Sequence, residues 1–290
     1  MNYRYKTDHL VIKFPEGYSE EDRLKCKRYC CTPELRLASE TEIEEWKNDV
    51  TGVFIKKSTP ADIVEFKIEK CGDGDLAPLL GTVVDFPQDN LAVGFVFDWK
   101  QYLATYGIGK YKITVEFTIS GVVGGFDWGQ YELKAYSIET ARSTVRVYSE
   151  WKTKYQDLDV DFTNSNFKDS IRFLGFFGNR EPRTEINNLI TKGRKVEKVT
   201  RENLNVYTLR TDPVPECITR QLIDLHLLNE DVLLITDHNS SNHSYQYYNT
   251  PVVLEETAEV EYIEKNRWAK VTVKVGDRSK TKKTYYNEEI

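Results

Sequence analysis

The chain has 290 residues, long enough for two domains of ordinary size, with 40% hydrophobic and 12% aromatic content. Its 40 Lys/Arg against 46 Asp/Glu give a net charge of −6. That balance excludes broad electrostatic binding to duplex nucleic acid, which needs a basic face. With 18 Tyr and 13 Phe against one Met, the composition favours strands, since flat aromatic side chains suit a pleated surface.

The first residues, Met1-Asn-Tyr-Arg-Tyr-Lys, lack the apolar core of a signal peptide. No apolar run approaches the ~18 residues needed to cross a bilayer. The expectation is a chain made and used without Sec export and without a membrane. The five cysteines (Cys26, Cys30, Cys31, Cys71, Cys217) show no framework spacing and read as reduced thiols.

Residues 8–14 read as a short strand, 19–30 as a helix, and 41–46 as a helical turn or a charged strand. Strands are predicted at 53–56, 63–69, 82–86 and 92–97. Trp99–Tyr106 is a short crossing element, and Gly107 and Gly109 permit a sharp entry into the next strand. In Tyr111–Ile119 every odd residue is apolar or aromatic and every even one polar, which marks a half-buried strand. Val122–Trp128, with its glycines, reads as a hairpin loop. The runs 111–120, 130–136 and 142–149 then read as consecutive strands of one antiparallel sandwich, closing a first domain near Glu150.

In the second half, strands are predicted at 160–162, 170–176, 205–209, 231–236, 245–248, 255–262 and 268–275, with Phe177–Arg183 a loop and Lys192–Arg201 a charged, exposed excursion. Ile218, Leu222, Leu225 and Leu228 recur at helical spacing, so 216–228 is the one helix of this half. The tail after Gly276 is polar. The fold class is therefore mainly β: two β-sandwich domains, jelly-roll or immunoglobulin-like, over 1–150 and 151–290, with one or two short helices.

No catalytic, metal or cofactor motif emerges. Asp237-His238-Asn239-Ser-Ser-Asn-His243 joins carboxylate to imidazole, but the spacing fits a turn better than a ligand set. Cys26, Cys30, Cys31 and Cys71, with His9, lack a Cys-x-x-Cys knuckle. Asp73, Asp75 and Asp85 read as turn carboxylates rather than calcium ligands. Gly72-Asp-Gly74 precedes no helix pattern and so makes no dinucleotide loop. Trp99, Tyr102, Tyr106, Trp128 and Tyr131 suit either a sandwich core or a flat sugar-binding face.

The runs Trp99-Lys-Gln-Tyr-Leu-Ala-Thr-Tyr-Gly-Ile-Gly-Lys-Tyr-Lys-Ile, Tyr131-Glu-Leu-Lys-Ala-Tyr-Ser and Ala141-Arg-Ser-Thr-Val-Arg-Val carry a resemblance, together with Ser170-Ile-Arg-Phe-Leu-Gly-Phe-Phe-Gly-Asn-Arg, Leu233-Leu-Ile-Thr-Asp-His-Asn and Arg267-Trp-Ala-Lys-Val-Thr-Val. Together, over residues 95–280, they resemble tail or neck proteins of crAss-like short-tailed phages that infect Bacteroidetes. The first 90 residues lie outside this resemblance. It implies a non-enzymatic virion protein of the tail or collar, made in the host cytoplasm and without cofactor. It further implies a ring of identical copies, a dodecamer in many such assemblies, that joins the portal to other tail or collar proteins, with genome DNA only as passing cargo.

Lys192, Arg194, Lys195, Arg278 and Lys280 lie on charged segments suited to assembly contacts. The reading from a different class is a carbohydrate-binding adhesin module using Trp99, Tyr102, Trp128 and Tyr131.

Overall fold

A computed structural model describes residues 33–40, 48–57, 59–119, 122–154, 160–190, 196–238, 247–263, 268–278 and 281–284. The strand read at 8–14, the helix at 19–30, the segment 41–46, His9, Cys26, Cys30 and Cys31 lie outside them. The chain is mainly β, with eighteen strands and three helical segments among the described residues.

A five-stranded sheet runs in the order β1 (Glu34–Ala38), β8 (Val122–Ala135), β7 (Gly109–Ile119), β3 (Ile63–Lys70) and β4 (Gly74–Asp75). Its alternation is as the sequence predicts: Tyr111, Ile113, Val115 and Phe117 of β7 are all buried. The glycine-rich stretch from Val122 is not a hairpin loop. It is the start of β8, where Gly124 pairs with Phe117 and a Cβ there would lie 2.8 Å from the Phe117 ring. Glycine therefore leaves room for a neighbouring ring on the sheet face rather than marking a turn.

Against this sheet packs a three-stranded one, β2 (Val50–Lys56), β6 (Ala92–Asp98) and β5 (Gly81–Val84). One side of it joins Trp99, Tyr102 and Tyr111 in a first core. The other side is covered by Trp151, Phe162, Phe167 and Leu225. Because both faces are covered, β2 is buried along its length from Val50 to Ile55 and does not alternate. Residues 160–162, read as a strand, make only an isolated bridge between Asp161 and Lys154, while Val160 and Phe162 fill this core.

The third sheet has ten strands. Its main path is β10 (Lys168–Phe173), β9 (Val145–Glu150), β14 (Val232–Asp237), β15 (Tyr247–Leu254), β17 (Trp268–Asp277), β12 (Val196–Thr211) and β11 (Gly175–Ile190). The short strands β13 (Val214–Pro215), β16 (Glu259–Ile263) and β18 (Thr281–Thr284) attach at its sides. So the run 142–149 does not continue the sheet of β7 and β8: β9 pairs with β10 and β14. The stretch 177–183, read as a loop, belongs to β11, whose pairing with β12 carries a bulge between Gly178 and Glu181.

Helix α1 (Trp99–Tyr106) is capped by the Asp98 side chain, which accepts from Lys100 N–H, and ends at Gly107 with φ +76°. A short helix the sequence did not announce, α2 (Ile138–Arg142), is capped by Ser137. The helix predicted at 216–228 starts as α3 (Glu216–Arg220) and continues as a π-helix, Gln221–Leu227. In an α-helix residues five apart point about 140° away from each other. The wider π turn brings positions i and i+5 into line, so Gln221 and His226 both face Asp169.

Strand β2 crosses β10 at Gly52, where a Cβ would meet the Lys168 carbonyl oxygen at 2.5 Å and the Phe167 ring at 2.6 Å. We expect Gly52→Ala to lower stability by about 1–3 kcal/mol through overpacking, read as a fall in the denaturation midpoint. An unchanged midpoint would mean that the two strands separate easily at this crossing.

Candidate functional site

Two arrangements stand out: a sealed seam of charged groups, and a ribbon that leaves the body.

The seam centres on Asp49, which is fully buried. Arg146 Nε donates to its Oδ1 at 2.8 Å and Arg172 Nε to its Oδ2 at 2.5 Å. Leu37 N–H donates to the same Oδ2 at 2.7 Å. Burial pushes this carboxyl up, but the guanidiniums of Arg172 and Arg146 outweigh it and hold the group below its ordinary range. Beside it, Thr51 Oγ1 accepts from both Arg36 Nε (3.0 Å) and Trp99 Nε1 (2.9 Å).

Asp169 is also buried and accepts from Gly52 N–H (3.0 Å) and Gln221 Nε2 (3.0 Å), with His226 Nε2 at 3.4 Å. Ser149 Oγ lies 2.9 Å from His226 Nδ1. A hydroxyl, an imidazole and a carboxylate in line have the composition of a nucleophilic triad. Here all three residues are at most 1% exposed, and Asp169 already accepts two other hydrogen bonds. No substrate reaches Ser149 in this state, and the set joins β2, β9, β10 and the π-helix. Sequence reading missed the whole seam. The available signal was Arg146 and Arg172, each flanked by apolar neighbours in a strand that packs on both faces.

The aromatic set is core. Trp99, Tyr102 and Tyr131 are fully buried and Trp128 is 7% exposed. Trp99 sits 5.6 Å from Tyr102 and 5.3 Å from Tyr131, ring centre to ring centre. Burial pushes the Tyr102 hydroxyl up, and that hydroxyl accepts from Leu80 N–H. These four residues therefore make no sugar-facing platform, because their rings are buried in the core.

Asp237 Oδ2 accepts from Phe177 N–H at 2.8 Å, and His238 is buried between Tyr136 and Tyr248. Both are packing contacts at the end of β14; the turn read at Asn239–His243 lies outside the described residues. Cys71 is exposed, and no group of three or more candidate metal ligands occurs among the described residues. No helix among them is long and apolar enough to cross a membrane.

The ribbon is formed by β11 and β12, sixteen residues each. The sheet curls so that the start of β11 lies against β9 and β14. From Asn179 to Thr184 every residue of β11 is exposed. A strand exposed on both faces has left the core, and from Asn179 to Ile190 it runs on for roughly 40 Å at ~3.4 Å per residue.

Its root is fixed. Asp277 accepts from Asn205 Nδ2 (2.6 Å) and Tyr207 OH (2.9 Å), and Lys274 pairs with Glu181 at 2.5 Å across β12. β18 adds to β12, setting Lys283 opposite Arg201 and Lys282 opposite Glu202. Of the cations singled out in the sequence, Arg278 is exposed and donates to the Glu230 carbonyl (3.0 Å). Lys192, Arg194, Lys195 and Lys280 lie outside the described residues, the first three in the segment joining β11 to β12.

Beside the root, a groove of about 630 Å³ opens on the sheet, lined among others by Arg210, Asp212, Glu259, Glu261, Lys270 and Thr272.

No protein-family model matches this chain, and no curated protein is significantly similar to it.

Removing one partner of a buried ion pair leaves an uncompensated charge and costs about 3–5 kcal/mol; Asp49→Asn, which strands two guanidiniums, should fall in that range. Asp49 has a folded pKa below its unfolded value near 3.9. Its contribution is therefore complete above that pH and is lost as pH falls through the folded value. Melting temperature against pH should drop more steeply below about pH 4 in the parent than in the Asp49→Asn variant. Parallel curves would show that Asp49 is not the acid-sensitive group.

Proposed function

We propose that this chain is a non-enzymatic structural protein of a phage tail or collar, building a ring of identical copies that connects portal and tail components. The observation that carries the reading is the ribbon: a β body holding two sixteen-residue strands, one of which is exposed at every residue from Asn179 to Thr184. A strand exposed on both faces over this stretch buries little there on its own body and has burial to gain from a neighbour. The resemblance over residues 95–280 points the same way.

In this reading the protein is made in the host cytoplasm and resides in the virion. Copies of itself, the portal and other tail proteins are its partners, and DNA only passes through. The carbohydrate-binding alternative is weakened by the burial of Trp99, Tyr102, Trp128 and Tyr131.

Light scattering on the purified protein, with negative-stain images of the same fractions, tests the proposal. Closed rings are expected, alone or when portal is added, and their symmetry gives the copy number. A monodisperse monomer under both conditions would overturn it.

A further inference from the structure

Register sets the outer face of β17. Val271, Val273 and Val275 are buried in the core, so Trp268, Lys270 and Thr272 lie on the opposite face of the strand. Thr272 stands between Arg210 of β12 and Glu259 of β16, and Lys270 stands across from Glu261. Asp212, just past β12, adds a third carboxylate to the groove they line. At one end of this face Trp268 stands between Ile263 and Pro215. It is 37% exposed, whereas Trp99, Trp128 and Trp151 are buried. From Trp268 to Thr272 the face runs about 14 Å at ~3.4 Å per residue.

The charges of this face are unspent. Opposite charges directly across a ladder usually pair. Lys112 does so with its cross-strand partner Glu69 at 3.5 Å, and Lys274, two residues beyond Thr272, pairs with Glu181. Among the described residues, Arg210, Asp212, Glu259, Glu261 and Lys270 make no ion pair or side-chain hydrogen bond. The groove thus holds donors beside acceptors, both open, next to an exposed indole.

We propose that this face binds a short oligosaccharide. A phosphate or sulfate would meet three carboxylates, and a divalent cation would meet a guanidinium and an ammonium. An apolar ligand would strand five charges. A sugar hydroxyl both donates and accepts, so neighbouring hydroxyls can serve Glu259 with Arg210, or Glu261 with Lys270. The C–H face of a sugar ring suits the flat, apolar indole of Trp268. The groove's volume of about 630 Å³ lies within the ~300–1,000 Å³ of small-molecule sites. This face is separate from the buried set Trp99, Tyr102, Trp128 and Tyr131, and the proposal does not rest on the ring reading.

The test screens the full chain on an array of neutral, amino and acidic oligosaccharides. The best-bound sugar is then titrated by calorimetry and by iodide quenching of tryptophan fluorescence, since iodide stays out of a protein interior. Bound sugar is expected to protect the parent from quenching. Trp268→Ala and Glu259→Gln/Glu261→Gln should each weaken binding by about tenfold or more, with circular dichroism showing that both fold. Trp268→Tyr should keep most of the binding and lose the protection, which assigns the shielded ring to position 268.

If no oligosaccharide binds with a Kd below about 1 mM, the proposal is overturned. Binding that every variant retains places the sugar elsewhere and also overturns it. If the protection appears on adding portal, or on raising the protein concentration, and not on adding sugar, the occupant is protein and the proposal falls. None of these outcomes decides whether rings form.

Discussion

The structure depends on one carboxylate. Asp49 sits where three parts of the chain meet, taking a backbone N–H from β1 and a guanidinium each from β9 and β10. A lone buried carboxylate would take up a proton or draw in water; two arginines make the charged form the stable one. Around it Arg36, Thr51, Asp169, Gln221 and His226 extend the same polar contact, and almost every neighbour comes from a distant part of the sequence. Apolar packing alone is tolerant of sliding by a rotamer or a register step. Charges with fixed partners are not, so the seam sets which strand crosses which and where. Gly52 occupies the crossing because nothing larger fits between β2 and β10.

How much of this was legible depended on whether one face of an element meets water. β7 does alternate between a buried and a less buried side, and its period of two was plain in Tyr111–Ile119. β2, β9 and β10 are covered on both sides, so Arg146 and Arg172 sit among apolar neighbours in strands where no alternation shows which face is polar. Glycines misled in a consistent way: at Gly124 the missing Cβ makes room for Phe117 within a strand and marks no turn. The helix at 216–228 was found by its leucines. Its π character was not, because that follows from Gln221 and His226 both needing to reach an aspartate about fifty residues away. The aromatic run at Trp99–Tyr131 admitted a core or a platform, and only tertiary packing separates the two.

The charged excursion read at Lys192–Arg201 is strand from Val196 onward, the start of β12, while Lys192, Arg194 and Lys195 lie outside the described residues. Exposed side chains on a strand normally alternate with buried ones; six in succession on β11 mean that the strand has no body beneath it.

A projecting ribbon ordinarily presents two edges on which further strands can stack without limit. Here the edges differ. On one side β18 is four residues long and holds Lys282 and Lys283, too short and too charged to template another strand. On the other side β11 is long, but its root carries Arg180, Pro182 and Arg183, and a proline offers no N–H to a newcomer. Among the described residues, the stretch of β11 beyond Thr184 and residues 196–199 of β12 carry no further strand. Shortening the open edge on both sides, by a short charged strand on one and a proline on the other, is how a projecting β ribbon is kept from open-ended stacking.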